Sequence, residues 1–586
     1  MKGWFSLATS CSGMLAVVLV AGCSDWMGKS KKPTTRPAGT TDSISTASPQ
    51  QATLALQGAI GAATYVEGGR LLPVRGYGLV VGLGGKGSRN CPPSVRDYLR
   101  KELARQRVTS TGDDDNVPSP DALLNSLDTA VVVVDAEVPA AAAKQRAFDV
   151  RVQAMDPDTQ SIAGGILLPC DLKIYREVGP AEVIEGKTHA QAQGPVFTNP
   201  FVGGANAGTT VDPREGLVIG GGSNLVVRKV EMVCVVESYS VVRQIRDVIN
   251  RRFPTTPPAA DAISPTTVQL TIPAEYRGRE NRFIEKVRYL PLTSSNAQLE
   301  ARAKALIVEF TRENAPLEEL SLAVEGVGLS AVRMLQPLYT HPRKAVNYYA
   351  ARAGLRLGDN LGVEVVVRHA EDPKSSYRRM AVRELGHCVH NPRAIAALRT
   401  LLTDPEVQLR LLAYESLRDA DPEGISQVVV GKKPQNFVLE VVESSGPATV
   451  YARRSQFRRI ALIGGDRMVC RPPLLYSQQG KPITLSADEG DRSLTLIRKN
   501  ASGGILIGPI QVPPDVPTLV RFLGQDLSRN FEGKVEGLGL DYAVILDLLY
   551  RLSEQGGLSA DVRWEESSIE DLFGPVAPVG RPESEL

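Results

Sequence analysis

Between residues 130 and 290, short apolar runs alternate with turn residues. AVVVVDAEV, AFDVRVQA, GGILLPCDLKIYREV, NLVVRKVEMVCVVESY and TVQLTIPAEY are rich in Val and Ile with period-two polar breaks, which predicts strands. Apolar residues at helical spacing predict helices near 94–106 and 240–252. Val95, Leu99 and Leu103 mark the first, with Ser94 as its candidate N-cap. From 297 to 420 the whole pattern turns helical, opening with LEARAKALIVEFTREN. A repeat emerges there. Pro342 leads to Ala350 and Gly354, Pro373 to Ala381 and Leu385, Pro405 to Ala413 and Leu417. A proline opening a helix, then a small residue where helices approach, predicts stacked helical hairpins. After 426, FVLEVVES, ATVYARR, RRIALIGG, SLTLIRK and GILIGPIQV predict strands again, closed by a single helix, LDYAVILDLLYRLSEQGG.

The chain is therefore expected to be multidomain. Residues 56–295 form an α+β domain, 296–425 a central all-α solenoid, and 426–572 a β-rich C-terminal domain with one helix. The hairpins of the centre resemble short HEAT-like repeats. Such solenoids bind proteins along one face, so a protein partner is expected there. The many strands of the first domain leave two possibilities open: edges covered within the chain, or edges paired with another chain. Residues 203–224, GGANAGTTVDPREGLVIGGGSN, read as a long loop.

The N-terminus changes the picture of location. Lys2 precedes an apolar stretch, Met14–Val20, too short for a confident membrane span, and Ala21-Gly22 lead to Cys23. Leu19-Val20-Ala21-Gly22-Cys23 resembles a bacterial lipobox, so residues 1–23 read as a lipoprotein signal segment, and the resemblance implies that Cys23 is lipidated and becomes the mature N-terminus. An ordinary cleaved signal is the plainer alternative. Ser24 after the cysteine favours the outer membrane by the same resemblance. Residues 24–55 are rich in Ser, Thr and Pro, cannot bury enough apolar surface to order, and would tether the body at roughly 30 Å. The tail, 573–586, is Pro-rich and expected to be frayed.

Composition excludes more than it assigns. The 586 residues carry 67 basic and 65 acidic side chains, a balance unlike that of a nucleic-acid binder. Five histidines and 5% aromatic residues give little to a histidine-rich metal site or a stacking platform. None of the seven cysteines forms a CxxC pair. His387 and His390 could share a helix face, but no third ligand is nearby, so no metal is assigned. Arg453, Arg454, Arg458 and Arg459 could meet an anionic envelope polymer, though a solvated basic strand face is the plainer reading. No catalytic constellation emerges, and no catalytic residue or cofactor is expected.

The sharpest single motif is Gly82-x-Gly84-x-x-Gly87 after the apolar run Leu79-Val80-Val81. A dinucleotide loop needs a helix opening at the last glycine. Here six residues intervene before the helical pattern, and Asp113–Asp115 fall in a turn-like stretch instead of at a strand end. A P-loop fails because Lys86 precedes Gly87. The glycines are read as permitting positive φ and tight backbone approach.

In order along the chain, several stretches resemble the bacterial flagellar P-ring protein family. They include Gly76-Tyr77-Gly78 with Gly82, Gly85 and Gly87, then Asp149 in a Asp-Val-x-Val strand, then the Gly164-Gly165 hairpin. Gln193-Gly194 in Ala-Gln-Gly-Pro-Val and Asn250 in an Ile-Asn-x-x-Phe helix follow. The resemblance implies a structural subunit that assembles with itself into a periplasmic ring around the flagellar rod, beside the L-ring. Three features depart from the family. Gly84 and Ser88 stand where Asp or Asn and an acid are usual, which is expected to remove charge from a surface loop. The leader looks lipidated, and a different extension replaces the family C-terminus. An alternative is a lipid-anchored envelope scaffold whose repeats recruit a protein partner.

Overall fold

A computed structural model describes residues 54–109, 119–174, 186–198, 212–276, 279–293, 295–432, 437–453, 458–477, 483–499, 504–529, 533–540 and 542–565. Cys23, the tether through residue 53, Asp113–Asp115, Arg454 and the tail lie outside the described residues.

The chain enters through a short helix α1 (Ile60–Ala63), then β1 (Thr64–Glu67) and β2 (Leu72–Val81). Helices α2 (Pro93–Thr109) and α3 (Pro120–Leu124) follow, then β3 (Thr129–Val138), β4 (Ala147–Ala154), β5 (Ile166–Ile174), β6 (Thr188–Pro195) and β7 (Glu215–Asn224). Strands β2 to β7 close into a barrel in the order β2-β3-β4-β7-β6-β5, every pair antiparallel. Alternate residues point inward, so Val132, Val134, Val150, Val152, Leu167 and Leu172 fill the barrel. Each such side chain contributes about 1.5–3 kcal/mol by leaving water. Outside, Val95, Leu99 and Leu103 of α2 cover Leu79 and Val131, as their spacing predicts.

Two expectations change here. Pro93 opens α2, so Ser94 lies inside the helix and is not its cap. Residues 215–224 are barrel strand β7, not loop. Their glycines hid the strand in the sequence. Gly222 faces the Phe148 ring, and Gly216 faces Val196 so closely that a side chain would not fit.

Strand β8 (Val230–Cys234), helix α4 (Tyr239–Arg252), β9 (Ala260–Ala262), β10 (Thr267–Leu270) and α5 (Glu280–Tyr289) form a smaller layer. Its sheet runs β1-β8-β10-β9. Ser238 caps α4 by accepting from the Val241 amide, and Val242, Ile245 and Ile249 bury the helix on the sheet.

The helical centre comprises α6 (Asn296–Phe310), α7 (Leu317–Val327), α8 (Val332–Leu335), α9 (Lys344–Arg356), α10 (Asn360–Glu371), α11 (Arg378–Leu385), α12 (Pro392–Leu401) and α13 (Val407–Ala420). Helix α9 packs on α7, and α11 on α13, with α10 and α12 behind them. The repeat alanines Ala350, Ala381 and Ala413 are fully buried where the helices meet. The repeat prolines stand in the turns just ahead of α9, α11 and α13 and do not open those helices.

The C-terminal part begins with β11 (Ser426–Val430), β12 (Phe437–Val442), β13 (Thr449–Arg453) and β14 (Arg459–Ile463). Then come β15 (Leu474–Ser477), β16 (Ile483–Ala487), β17 (Leu494–Lys499), β18 (Ile505–Val512), α14 (Val516–Gly524), α15 (Tyr542–Glu554) and β19 (Asp561–Trp564). One sheet runs β11-β12-β14-β13-β19, the other β15-β16-β17-β18. The domain holds two helices where a single one was expected. Helix α14 is short and carries Pro517 in its first turn, which obscures its period, yet Asp515 caps it through the Thr518 amide.

Three joints connect these bodies. Helix α5 packs on α7. Val442, Tyr451, Ala461 and Ile463 of the first C-terminal sheet join the core of the repeats. Phe197 and Ile219 of the barrel join the C-terminal core, with the Phe197 ring 4.8 Å from Trp564 and 6.2 Å from Tyr542.

Candidate functional site

The signature residues fall into a barrel group and one distant post. Gly76 and Gly78 lie on β2 where β5 crosses close. A Cβ on Gly78 would stand 2.8 Å from Leu167 and 3.2 Å from Val134. One on Gly76 would meet the Asp171 carbonyl. Tyr77 points outward and meets Tyr98 of α2 edge-on, with centroids 6.3 Å apart. Gly165 is pressed against Val80 and Leu83, and Gly164 beside it has φ +74°. These residues allow one barrel seam to close.

The glycine loop folds onto the turn ahead of β3. Leu83 N–H donates to Asp128 O at 3.0 Å, Gly87 N–H to Leu127 O at 2.8 Å, and Ser88 N–H to Thr129 O at 2.9 Å. A side chain at Gly87 would collide with the Thr129 carbonyl. Gly82, Gly84 and Gly85 have φ of +80°, +61° and +84° in open space. The Gly84 amide donates to the Asp128 carboxylate, the neighbouring amides serve the protein's own backbone, and the loop clasps the barrel end. Ser88 is buried and donates to Asp156, so that departure from the family pattern falls on an interior position and not on a surface loop.

Asp149 accepts from the Gly220 amide at 2.7 Å, where β7 takes a positive φ of +62° and the β4–β7 register shifts. Gly194 has φ +131° and faces Val218, while the neighbouring Gln193 is exposed. Far from these, Asn250 on α4 clamps β9. Its Nδ2 donates to Ala260 O at 2.9 Å, and its Oδ1 accepts from Ala260 N–H at 2.8 Å.

Sequence reasoning missed two buried polar posts. Asn224 accepts from the Arg146 amide at 2.9 Å and donates to Val226 O at 2.8 Å. Asp171 accepts from Arg105 at 2.9 Å, Thr188 at 3.1 Å and Gln191 at 2.9 Å. Only the alternation break at Asp171, polar within an apolar strand, signalled either of them.

It also missed a charged seam along α7, α9, α11 and α13. Glu325, 4% exposed, receives Arg282 at 2.9 Å and Lys286 at 2.7 Å from α5. Glu384 receives Arg352 at 3.0 Å and Arg356 at 2.6 Å. Burial alone would push Glu384 up, but Arg356 and Arg352 outweigh it and hold its carboxyl well below the usual range. At the far end Glu415 meets Arg453 at 3.3 Å, and Arg453 meets Glu565 at 3.2 Å. Glu440, 1% exposed, meets Arg459 at 2.9 Å and accepts from Tyr414. Arg453 and Arg459 are therefore neither a polymer-binding patch nor a solvated face. Arg453 joins the C-terminal sheet to the repeats through Glu415, and Arg459 holds Glu440, which accepts from Tyr414 of the repeats.

His387 lies on this seam, its Nδ1 2.8 Å from Arg279. Burial, then the Arg356 charge, pushes its pKa down to about 3. His390 turns away with φ +57°. Among the described residues, no group of three or more His, Cys, Asp or Glu could hold a metal ion. Cys170 is buried in the barrel, and burial pushes its thiol up to about 12. No helix among the described residues is long and apolar enough to cross a membrane.

Residues 60–309 match the family described as Flagellar P-ring protein, and residues 331–418 match that described as HEAT repeats. The flagellar P-ring protein of Geotalea uraniireducens is 30% identical over 230 residues, 37% of this chain and 56% of the relative. That of Caulobacter vibrioides is 31% identical over 217 residues, 34% of this chain and 52% of the relative. That of Geobacter sulfurreducens is 26% identical over 312 residues, 50% of this chain and 77% of the relative. In the first two comparisons the chain spans just over half of the relative's length. The chain is thus a P-ring-like domain, residues 60–309, joined to HEAT-like repeats, residues 331–418.

Proposed function

We propose that this protein is a structural subunit of the flagellar basal body, forming a periplasmic P-ring-like bushing around the rotating rod. The observation that carries the reading is the match over residues 60–309, in which the signature residues other than the exposed Gln193 occupy positions that shape the fold. A bushing needs rigidity and repeated contacts, and no chemistry. The closed barrel, the Asn250 clamp and the buried charged seam supply rigidity. The partners are other copies of the chain, the rod and the L-ring; no catalytic residue, metal, cofactor or nucleic acid takes part. Cys23 would attach the body to the outer membrane through lipid.

The test is electron microscopy of basal bodies from the native host, with mass spectrometry of the same preparation. A ring containing this chain supports the reading. Intact basal bodies without it overturn it. In that event the lipid-anchored scaffold takes its place, an alternative that the lipobox-like stretch favours. The repeats count against a recruiting role on one side, because the layer α7, α9, α11 and α13 is taken up by α5 at one end and the C-terminal sheet at the other. Cys23→Ser should release the protein from membranes; a variant that stays bound would rule out the lipid anchor.

A further inference from the structure

The sheet β1-β8-β10-β9 turns one face to the helices of its layer, where Val66, Met232, Val268 and Ala260 are buried. The alternate residues point the other way, and none of them is buried. Their register sets them in two rows. Glu67, Glu231, Gln269 and Asp261 stand side by side across the four strands. Tyr65, Val233 and Thr267 form the next row, and Ile263, whose amide donates to Thr267 O, extends it. Val235 follows Val233, and it and Ile263 are 53% and 54% exposed. The bare face is thus acidic toward the start of β8 and apolar toward its end. Glu67 and Glu231 are like charges placed directly opposite, which costs stability in a sheet left alone. Among the described residues no ion pair includes Glu67, Glu231 or Asp261. Lys229, just ahead of β8, offsets at most one of these three charges. The other side of the same layer is the outer face of α4, which carries four arginines against one acid. Arg243, Arg251 and Arg252 are exposed, and Arg246 pairs with Asp247 at 2.7 Å. Helix α4 starts at the apolar end, where the Ser238 amide donates to Pro265 O and Val236 and Tyr239 are 72% and 64% exposed. It finishes at the acidic end, where Asn250 holds Ala260, which lies in line with Leu270 and Val230.

We infer that the bare sheet face of one copy packs on α4 of a second copy, so that the P-ring-like domains stack head to tail. The two faces match in sign and in order. Stacked in the same orientation, Val235 and Ile263 of one copy meet Val236 and Tyr239 of the next, while the acids meet the α4 arginines. A basic partner of another kind would cover the acids and leave the arginines bare; a second copy covers both. The two faces lie on opposite sides of one layer, so each copy offers one of each. A contact between unlike surfaces repeats from copy to copy and closes into a ring when the rotation allows. This rests on the ring reading and names the two surfaces that meet in the ring.

The test is analytical ultracentrifugation of the full-length chain as wild type, as a sheet variant (Glu67→Lys with Glu231→Lys), as a helix variant (Arg243→Glu with Arg251→Glu), and as an equimolar mixture of the two variants. None of the four positions is buried, and the paired lysines keep a like-charge pair where one already stands, so circular dichroism should show unchanged folds. The wild type should sediment as species larger than two chains. Each variant alone should sediment as a monomer, because its two faces then carry the same sign. The mixture should regain the wild-type species, because each face finds its opposite on the other variant. A mixture that stays monomeric overturns the contact, since the loss in each variant then has another cause. Assemblies unchanged in both variants also overturn it, assign the sheet face to a different partner, and leave the ring reading in place. A wild type that stays monomeric at every concentration overturns the contact and counts against the ring reading as well.

Discussion

The barrel and the C-terminal domain are both built of short antiparallel strands, yet they treat their edges in opposite ways. Six strands of the barrel consume every edge by closing, and glycines at 76, 78 and 165 let the walls approach. The C-terminal sheets stay open, and their edge strands are short or charged or, in β18, interrupted by Pro509 and a shift in register. A closed sheet satisfies all its pairing groups within the chain, whereas an open one must guard its edges. The junctions differ as well. Steric fit holds the barrel, while buried ion pairs hold the repeats to both flanking domains.

That contrast can be broken at its charged side first. Glu384→Ala would strand Arg352 and Arg356 in a buried site, and should cost about 3–5 kcal/mol in denaturant unfolding. A loss near that of a surface pair would mean the seam is solvated. On the steric side, Gly87→Ala drives a methyl into the Thr129 carbonyl and should cost about 1–3 kcal/mol. Gly164→Ala, strained only by its φ of +74°, should cost about 1–2 kcal/mol, and a ranking with Gly164 above Gly87 would contradict the packing argument.

Acid should separate the two halves. His387 has its folded pKa lowered to about 3, so its contribution is present above the unfolded value of about 6.5 and is lost as pH falls toward 3. Glu384, also lowered, loses its contribution as pH falls below the usual carboxylate range. Both signs agree. Thermal melts between pH 7 and 4 should therefore show the repeats weakening first, and His387→Asn should flatten that part of the profile. The smallest effect is expected at the exposed Arg393–Glu364 pair, 3.1 Å apart, where Arg393→Ala should change stability by about 0–1 kcal/mol.

How much of this was legible in the sequence follows from range. Local signals survived: the strand periods of β3 and β4, the spacing of Val95, Leu99 and Leu103, and the buried repeat alanines. The signature positions were legible too, but not their work. Asn250 reads as one polar residue in a helix, and its clamp on Ala260 becomes visible only when β9 lies alongside. Barrel closure joins β2 to β5 and β4 to β7, pairs distant in the chain, which no period records. The charged seam is the extreme case. Glu325 and Glu384 look like ordinary helix-surface residues until α5 and the neighbouring repeat supply their arginines.

The three joints have a mechanical consequence. With the barrel and the smaller layer held as one body by Ala141 packing on the smaller layer's core and Arg228 donating to Val138 O, the α5–α7 contact, the repeat–sheet contact and the Phe197–Trp564 contact link three bodies in a closed circuit. Two bodies on one joint make a hinge; three bodies on three joints make a triangle, and a triangle cannot shear without stretching a side. Opening any one contact must load the other two. A torque applied at the barrel would thus reach the C-terminal sheets as tension and compression along the members, with little bending, as it does in a truss.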